Sequence, residues 1–154
     1  MITNKGLKFD IGFIFIIHIA GIVGIRLFPD HFLKVSFISI LIPLGLYFYR
    51  LKPSLSNFLI ILLVYIITFF SEWVGVNYGW LFGSYVYGES LGFKIGGVPL
   101  LIGANWLLLA LVSREICNKW ISNKWLVFLL SSSIMVFVDV LIEPLSSRLN
   151  FWSW

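Results

Sequence analysis

The chain has 154 residues, of which 60% are hydrophobic and 12% charged, with a net charge of +4. Soluble domains carry about 25% charged residues, so this chain has half the charge needed to face water all round, and a disordered chain, a nucleic-acid module and a cytosolic enzyme are excluded. The length fits one domain over residues 1–154, and the composition predicts an all-α, polytopic transmembrane helix bundle in contact with membrane lipid.

Five apolar runs are expected to span the membrane. The first, about Phe9 to Phe28, follows Lys5 and Lys8; no small-x-small cleavage site comes after it, so it reads as a retained helix rather than a leader. The second runs from about Leu33 to Tyr49 and stops at Arg50-Leu51-Lys52-Pro53. The third, about Leu55 to Val76, is the clearest, since Phe58 to Phe70 carries no charge. The fourth runs from about Pro99 to Val112, short for a span and expected to extend upstream, and the fifth from about Trp125 to Ile142. Within the first helix, His18 offers a proton relay while Gly21 and Gly24 are expected to permit close helix packing. With five helices, Lys5, Lys8, Arg50, Lys52, Arg114, Lys119 and Lys124 share one face of the membrane, and Arg26, Lys34, Lys94 and Arg148 the other. That asymmetry predicts a cytoplasmic N-terminus, in a bacterial cytoplasmic membrane.

The segment Asn77 to Val98 reads NYGWLFGSYVYGESLGFKIGGV. It is too broken for a spanning helix and too apolar for a free loop. Irregular backbone at membrane depth survives only where protein or a wet cavity covers it, which predicts a Gly/aromatic re-entrant or interfacial hairpin roofing a pocket. A belt of aromatics at headgroup level is the alternative.

Among the acidic residues, Asp10, Asp30, Glu89 and Glu115 fall near helix ends or in loops, where water can solvate them. Glu72, Asp139 and Glu143 fall within or at the edge of apolar helices, where an ionisable group is costly and by default functional. The third and fifth helices end on the same face of an up-down bundle, so these three acids converge there with Asn105 and the hairpin. Asp139 and Glu143 are one turn apart, although Pro144 disfavours helix at Glu143 and places it just past the helix end. A purely structural role, with an acid bonding a Trp N–H or a cation to join helices, is the competing reading. Cys117 is alone, the two His lack ligand spacing, and no metal site is expected.

Several spaced motifs follow in order: Glu72-Trp73-Val74-Gly75-Val76, Gly79, Phe82-Gly83-Ser84-Tyr85-Val86-Tyr87, Leu91-Gly92, Gly97-Val98-Pro99-Leu100, Asn105-Trp106, Asp139 to Pro144, and Phe151-Trp152-Ser153-Trp154. This stretch resembles a carotenoid-biosynthesis membrane family that includes carotenoid 1′,2′-hydratases and bisanhydrobacterioruberin hydratase. Family members continue past the W-x-W motif, so the resemblance also implies a chain short at its C-terminus. It implies an acyclic carotenoid or other apolar polyene as substrate, no cofactor, and association with other enzymes of that pathway. The implied reaction is acid-catalysed hydration of the terminal double bond through a tertiary carbocation. A carboxyl in an apolar site can serve as the acid: Asp139 or Glu72 would protonate, and Glu143 would orient the water. Trp73, Tyr85, Tyr87 and Trp106 would face the cation, with Asn105 and Trp152 also binding substrate. An end-group cyclase or isomerase, a non-catalytic carotenoid- or lipid-binding subunit, and a small proton-coupled transporter remain the alternatives.

Overall fold

The computed structural model describes residues 4–154, with side chains from Gly6 onward, so the side chain of Lys5 and the start of the Met1–Asp10 segment lie outside the described residues. Helices dominate: α1 (Asn4–Leu27), a short α2 (Pro29–Phe32), α3 (Ile38–Leu51), α4 (Leu55–Tyr78), α5 (Leu100–Asn118) and α6 (Lys124–Ser146). Five segments among the described residues are long and apolar enough to cross a membrane, with Pro29–Leu51 counting as one. Large apolar side chains such as Phe15, Ile60, Phe128 and Val140 point outward, as lipid-facing surfaces require.

Local chemistry sets the helix ends. The α3 helix stops at Lys52, whose backbone is left-handed, and Pro53 follows. The Ser54 hydroxyl then caps α4, accepting from the Asn57 amide at 3.3 Å, and the Asn123 side-chain Oδ1 caps α6, accepting from the Trp125 and Leu126 amides. Three expectations are corrected here. The fourth span gains length downstream, to Asn118, because Val98–Pro99 is committed to a strand and the polar Arg114-Glu115 pair tolerates a helix end at the interface. Pro144 does not end the last helix, which runs to Ser146. Proline in a final turn removes one ladder bond, and the buried Ser146 hydroxyl ties back to the Glu143 carbonyl at 2.9 Å. Asp10 is not solvated: α1 starts early enough to bring it inside, where it is buried and accepts from Arg50 Nε of α3 at 2.6 Å.

The α5 helix is the centre of the bundle and touches α3, α4 and α6, whereas α1 leans on α2 and α3. One core cluster, Leu44, Ala104 and Leu107, joins α3 to α5. Of the small residues in α1, Gly24 lies against the Phe32 ring and Gly21 has no neighbour within 4 Å, so the expected close packing holds only at Gly24. His18 is exposed and its Nδ1 is paired with the Ile14 carbonyl at 2.8 Å.

The segment between α4 and α5 folds into short strands β1 (Val86–Tyr87), β2 (Lys94–Ile95) and β3 (Val98–Pro99), and β4 (Trp152–Ser153) follows α6. The β2–β3 pair turns on Gly96 and Gly97, both at positive φ, as a two-residue hairpin demands. A Cβ at Gly96 would also collide with the Trp73 indole. The β1 strand pairs antiparallel not with its sequence neighbours but with β4, Val86 opposite Ser153 and Tyr87 opposite Trp152. The chain after α6 is thus a strap laid over the hairpin: the Gly88 amide donates to the Phe151 carbonyl at 2.9 Å and the Ser90 hydroxyl to the Leu149 carbonyl at 2.9 Å. Gly88 lies so close to the Asn150 backbone that any Cβ would strike it. Gly88→Ala is therefore expected to lift the strap at a cost of about 1–3 kcal/mol, the usual range for overpacking, and to speed hydrogen exchange at the amides of residues 88 and 90.

Candidate functional site

Period-two spacing in β1 and β4 explains the site. Tyr85, just before β1, and Tyr87 within it stand on one face, as do Trp152 in β4 and Trp154 just after it. The pairing of the two strands brings these rings together in couples: Tyr85 tilted against Trp154 at a centroid distance of 5.1 Å, and Tyr87 edge-on to Trp152 at 6.5 Å. In each couple the tyrosine hydroxyl points to a carboxylate on α4 and the indole N–H to a carboxylate on α6.

Glu72, in the last two turns of α4, is 5% exposed. Its Oε2 accepts from the Tyr87 hydroxyl at 2.7 Å and also from the Tyr85 hydroxyl, and its Oε1 accepts from Trp106 Nε1 of α5 at 2.7 Å. Three neutral donors form a collar around it, with no cation in the set. That satisfies the rule that a buried charge-bearing group must be hydrogen-bonded, and it ties α4, α5 and the hairpin to one point. Glu143 has a second collar: its Oε2 accepts from Trp152 Nε1 at 3.1 Å and its Oε1 from Trp154 Nε1. The tilted and edge-on ring contacts make the two collars one aromatic block between α4 and α6.

Asp139 lies one turn before Glu143 on α6. It is half-buried and accepts no side-chain hydrogen bond among the described residues. Glu143, its neighbour one turn on, is joined to Glu72 by the ring contacts of their two collars. The three predicted acids therefore meet at one end of the bundle, and the hydrogen bonding separates them: two are enclosed by donors and one is open.

The other expected site residues divide. Tyr85, Tyr87, Trp106 and Trp152 are collar donors. Trp73 turns away, stacking on Phe70 at 5.7 Å and packing edge-on against Tyr78, because one residue along a helix is a 100° rotation from Glu72. Asn105 is half-buried and makes no side-chain hydrogen bond to the acids. The pocket expected under the hairpin is instead filled: Tyr85, Tyr87, Leu91 and Val98 are buried there against Leu101 and Ile102 of α5. Two participants were missed. Trp154 was legible in its W-x-W spacing. Lys94, counted as a loop cation, gives its ammonium to the Tyr87 carbonyl at 2.8 Å and to Glu89 at 2.7 Å, fixing β1 from behind. Among the described residues no group of His, Cys, Asp and Glu has a metal-holding arrangement.

Burial raises the phenols of Tyr85 and Tyr87 well above the usual tyrosine range, and their bonds to Glu72 and its charge push them further. The folded protein thus holds these protons more tightly than the unfolded chain. Their contribution to stability is full below about pH 10, where free tyrosine ionises, and is lost as the pH rises beyond it. A spectrophotometric titration to about pH 11 is expected to show the same tyrosinate absorbance in the wild type and in a Tyr85→Phe/Tyr87→Phe variant.

No curated protein and no solved structure matches the chain. A family model described as carotenoid biosynthesis protein matches residues 32–154. Those residues hold α3 to α6, the hairpin, the strap and all three acids, and the chain belongs to the carotenoid biosynthesis protein family.

Proposed function

We propose that this chain hydrates the terminal double bond of an acyclic carotenoid end group, with Asp139 as the acid. The single observation that carries the assignment is the contrast among the carboxyls. Glu72 and Glu143 are occupied as acceptors of phenol and indole hydrogens, whereas Asp139 has no donor among the described residues and stands open beside them. A group that must give a proton needs an oxygen free to carry it and room to approach the reacting carbon.

The step balances without a redox cofactor. The Asp139 carboxyl gives its proton to the less substituted alkene carbon, and the remaining carbon becomes a tertiary cation. Ring faces beside the site, Tyr85 and Trp154 foremost, stabilise such a cation by roughly 0.5–2 kcal/mol each. A water at one of the two lone-pair sites that the indoles leave free on Glu143 supplies its oxygen to the cation and passes its proton to that carboxylate, one turn from Asp139. Transfer of that proton back to Asp139 closes the cycle, and the product is a tertiary alcohol. Glu72 holds the aromatic block in place. We further read the whole chain as one membrane-embedded unit, with its N-terminus on the cytoplasmic side of a bacterial membrane, on the Lys and Arg asymmetry.

A second reading has its own support. Collars around Glu72 and Glu143 are also what a purely structural latch would use, so a pigment-binding subunit without catalysis competes with the hydratase. Expression in a lycopene-accumulating bacterium followed by pigment mass analysis separates the readings. Gain of one water supports hydration. Conversion at unchanged mass points to a cyclase or isomerase, and pigment that co-purifies unaltered points to a binding protein.

A further inference from the structure

Where the long body of such a substrate lies is a separate question from how its end reacts. The α5–α6 contact is flanked by two grooves. One is lined by Ile116, Cys117 and Trp120 of α5 with Leu130, Ile134 and Phe137 of α6. The other, of about 440 Å³, runs along Ala110, Arg114 and Asn118 of α5 and Phe128, Ser132 and Met135 of α6.

Helical spacing decides which of the two reaches the acid. On α6, Phe128, Ser132 and Met135 continue at steps of three and four to Asp139 and Glu143, so all share one face. On α5, Asn118, Arg114 and Ala110 continue at steps of four to Trp106, the indole that holds Glu72. The helices are antiparallel neighbours, so Ala110 faces Met135, and the next turn brings Trp106 opposite Asp139. Phe137, in the first groove, is two residues and about 200° of rotation from Asp139, on the wrong side of the helix.

We propose that the groove between Ala110 and Met135 seats the substrate's polyene rod, with the reacting end at Asp139 and the far end emerging between Arg114, Asn118 and Lys124. The groove is mostly apolar, with the Ser132 hydroxyl midway along it and charged side chains only at that far mouth, where Lys124 opens α6 and Arg114 is shared with Glu115 at 3.2 Å. From Asp139 to Lys124 the rod has about 22 Å of helix to lie along, at 1.5 Å per residue. The inference rests on the hydratase reading for which end reacts, but the seat itself is testable by binding alone. It makes chain length the quantity the protein recognises: a short isoprenoid with the same terminal double bond would use the acid and ignore the groove.

The test fills the groove. Ala110→Phe and Met135→Phe each place a ring at its midpoint, and Ser133→Phe fills the opposite groove as a control. Lycopene binding is read by quenching of tryptophan fluorescence in nanodiscs, and hydration is followed in the same samples with lycopene and with geranylacetone, a short isoprenoid. Expected are lycopene affinities about tenfold weaker or worse in A110F and M135F, wild-type affinity in S133F, and unchanged hydration of geranylacetone in all three. Lycopene that fails to bind the wild type, or binds A110F and M135F as it binds the wild type, overturns the seat. If nothing is hydrated but the binding pattern holds, the seat stands and the catalytic reading falls. Should one variant not fold, the other still decides.

Discussion

Replacing Glu72 by alanine is expected to destabilise the folded protein by about 3 kcal/mol or more, and replacement by glutamine by about 1–3 kcal/mol, because each buried donor left unpaired costs about 1–3 kcal/mol. Alanine orphans three donors at once: the Tyr85 and Tyr87 hydroxyls and the Trp106 indole. Glutamine keeps one oxygen, enough for the two tyrosines, but turns an amide N–H₂ towards the Trp106 N–H, so one donor loses its acceptor. The order wild type, Glu72→Gln, Glu72→Ala should appear in detergent unfolding curves followed by tryptophan fluorescence. Trp106→Phe supplies the check on the pairing. With the indole hydrogen gone, the penalty of Glu72→Gln should shrink markedly, since the clash it creates no longer exists. Equal stability for Glu72→Ala and the wild type would mean that the collar does not hold the hairpin. Hydration should be lost in both Glu72 variants, as the aromatic block shifts away from Asp139.

The sequence reading reached the helices because lipid-facing helices need uninterrupted apolar runs, and nothing else in a chain of this composition looks like them. It singled out Glu72, Asp139 and Glu143 for the complementary reason: a carboxyl in such a run is costly and by default functional. What it missed was long-range pairing. The pairing of β1 with β4 joins residues 86 and 153, and hydrophobic periodicity reports only local structure. The clue was present all the same. Tyr85-x-Tyr87 and Trp152-x-Trp154 both have strand spacing, and two short strands with matching aromatic faces invite each other. Trp73 illustrates the opposite limit: adjacency to Glu72 in sequence suggested adjacency in space, yet the helix turned its ring towards Gly96. Asp10 was misjudged because its partner, Arg50, sits 40 residues away, beyond any local rule.

Asp139→Asn is expected to do the reverse of the Glu72 substitutions: leave stability within about 0.5 kcal/mol and lower the hydration rate by about 10²–10⁴-fold, the range a positioned general acid supplies. The stability part follows because asparagine keeps the shape of aspartate and no described donor bonds the carboxyl it replaces. The rate part follows because an amide has no acidic proton to give an alkene. Rates come from pigment mass analysis over time and stability from the same detergent titration. Glu143→Gln should fall between the two, since one of its indole donors would meet an amide N–H₂ while water keeps some access. The pair of measurements distinguishes an acid from a latch. If Asp139→Asn lowers stability as Glu72→Gln does, Asp139 has a partner that the hydrogen bonding does not reveal and belongs to the structural block. If it changes neither quantity, protonation takes place elsewhere, and the open carboxyl beside two collared ones is not the source of the proton.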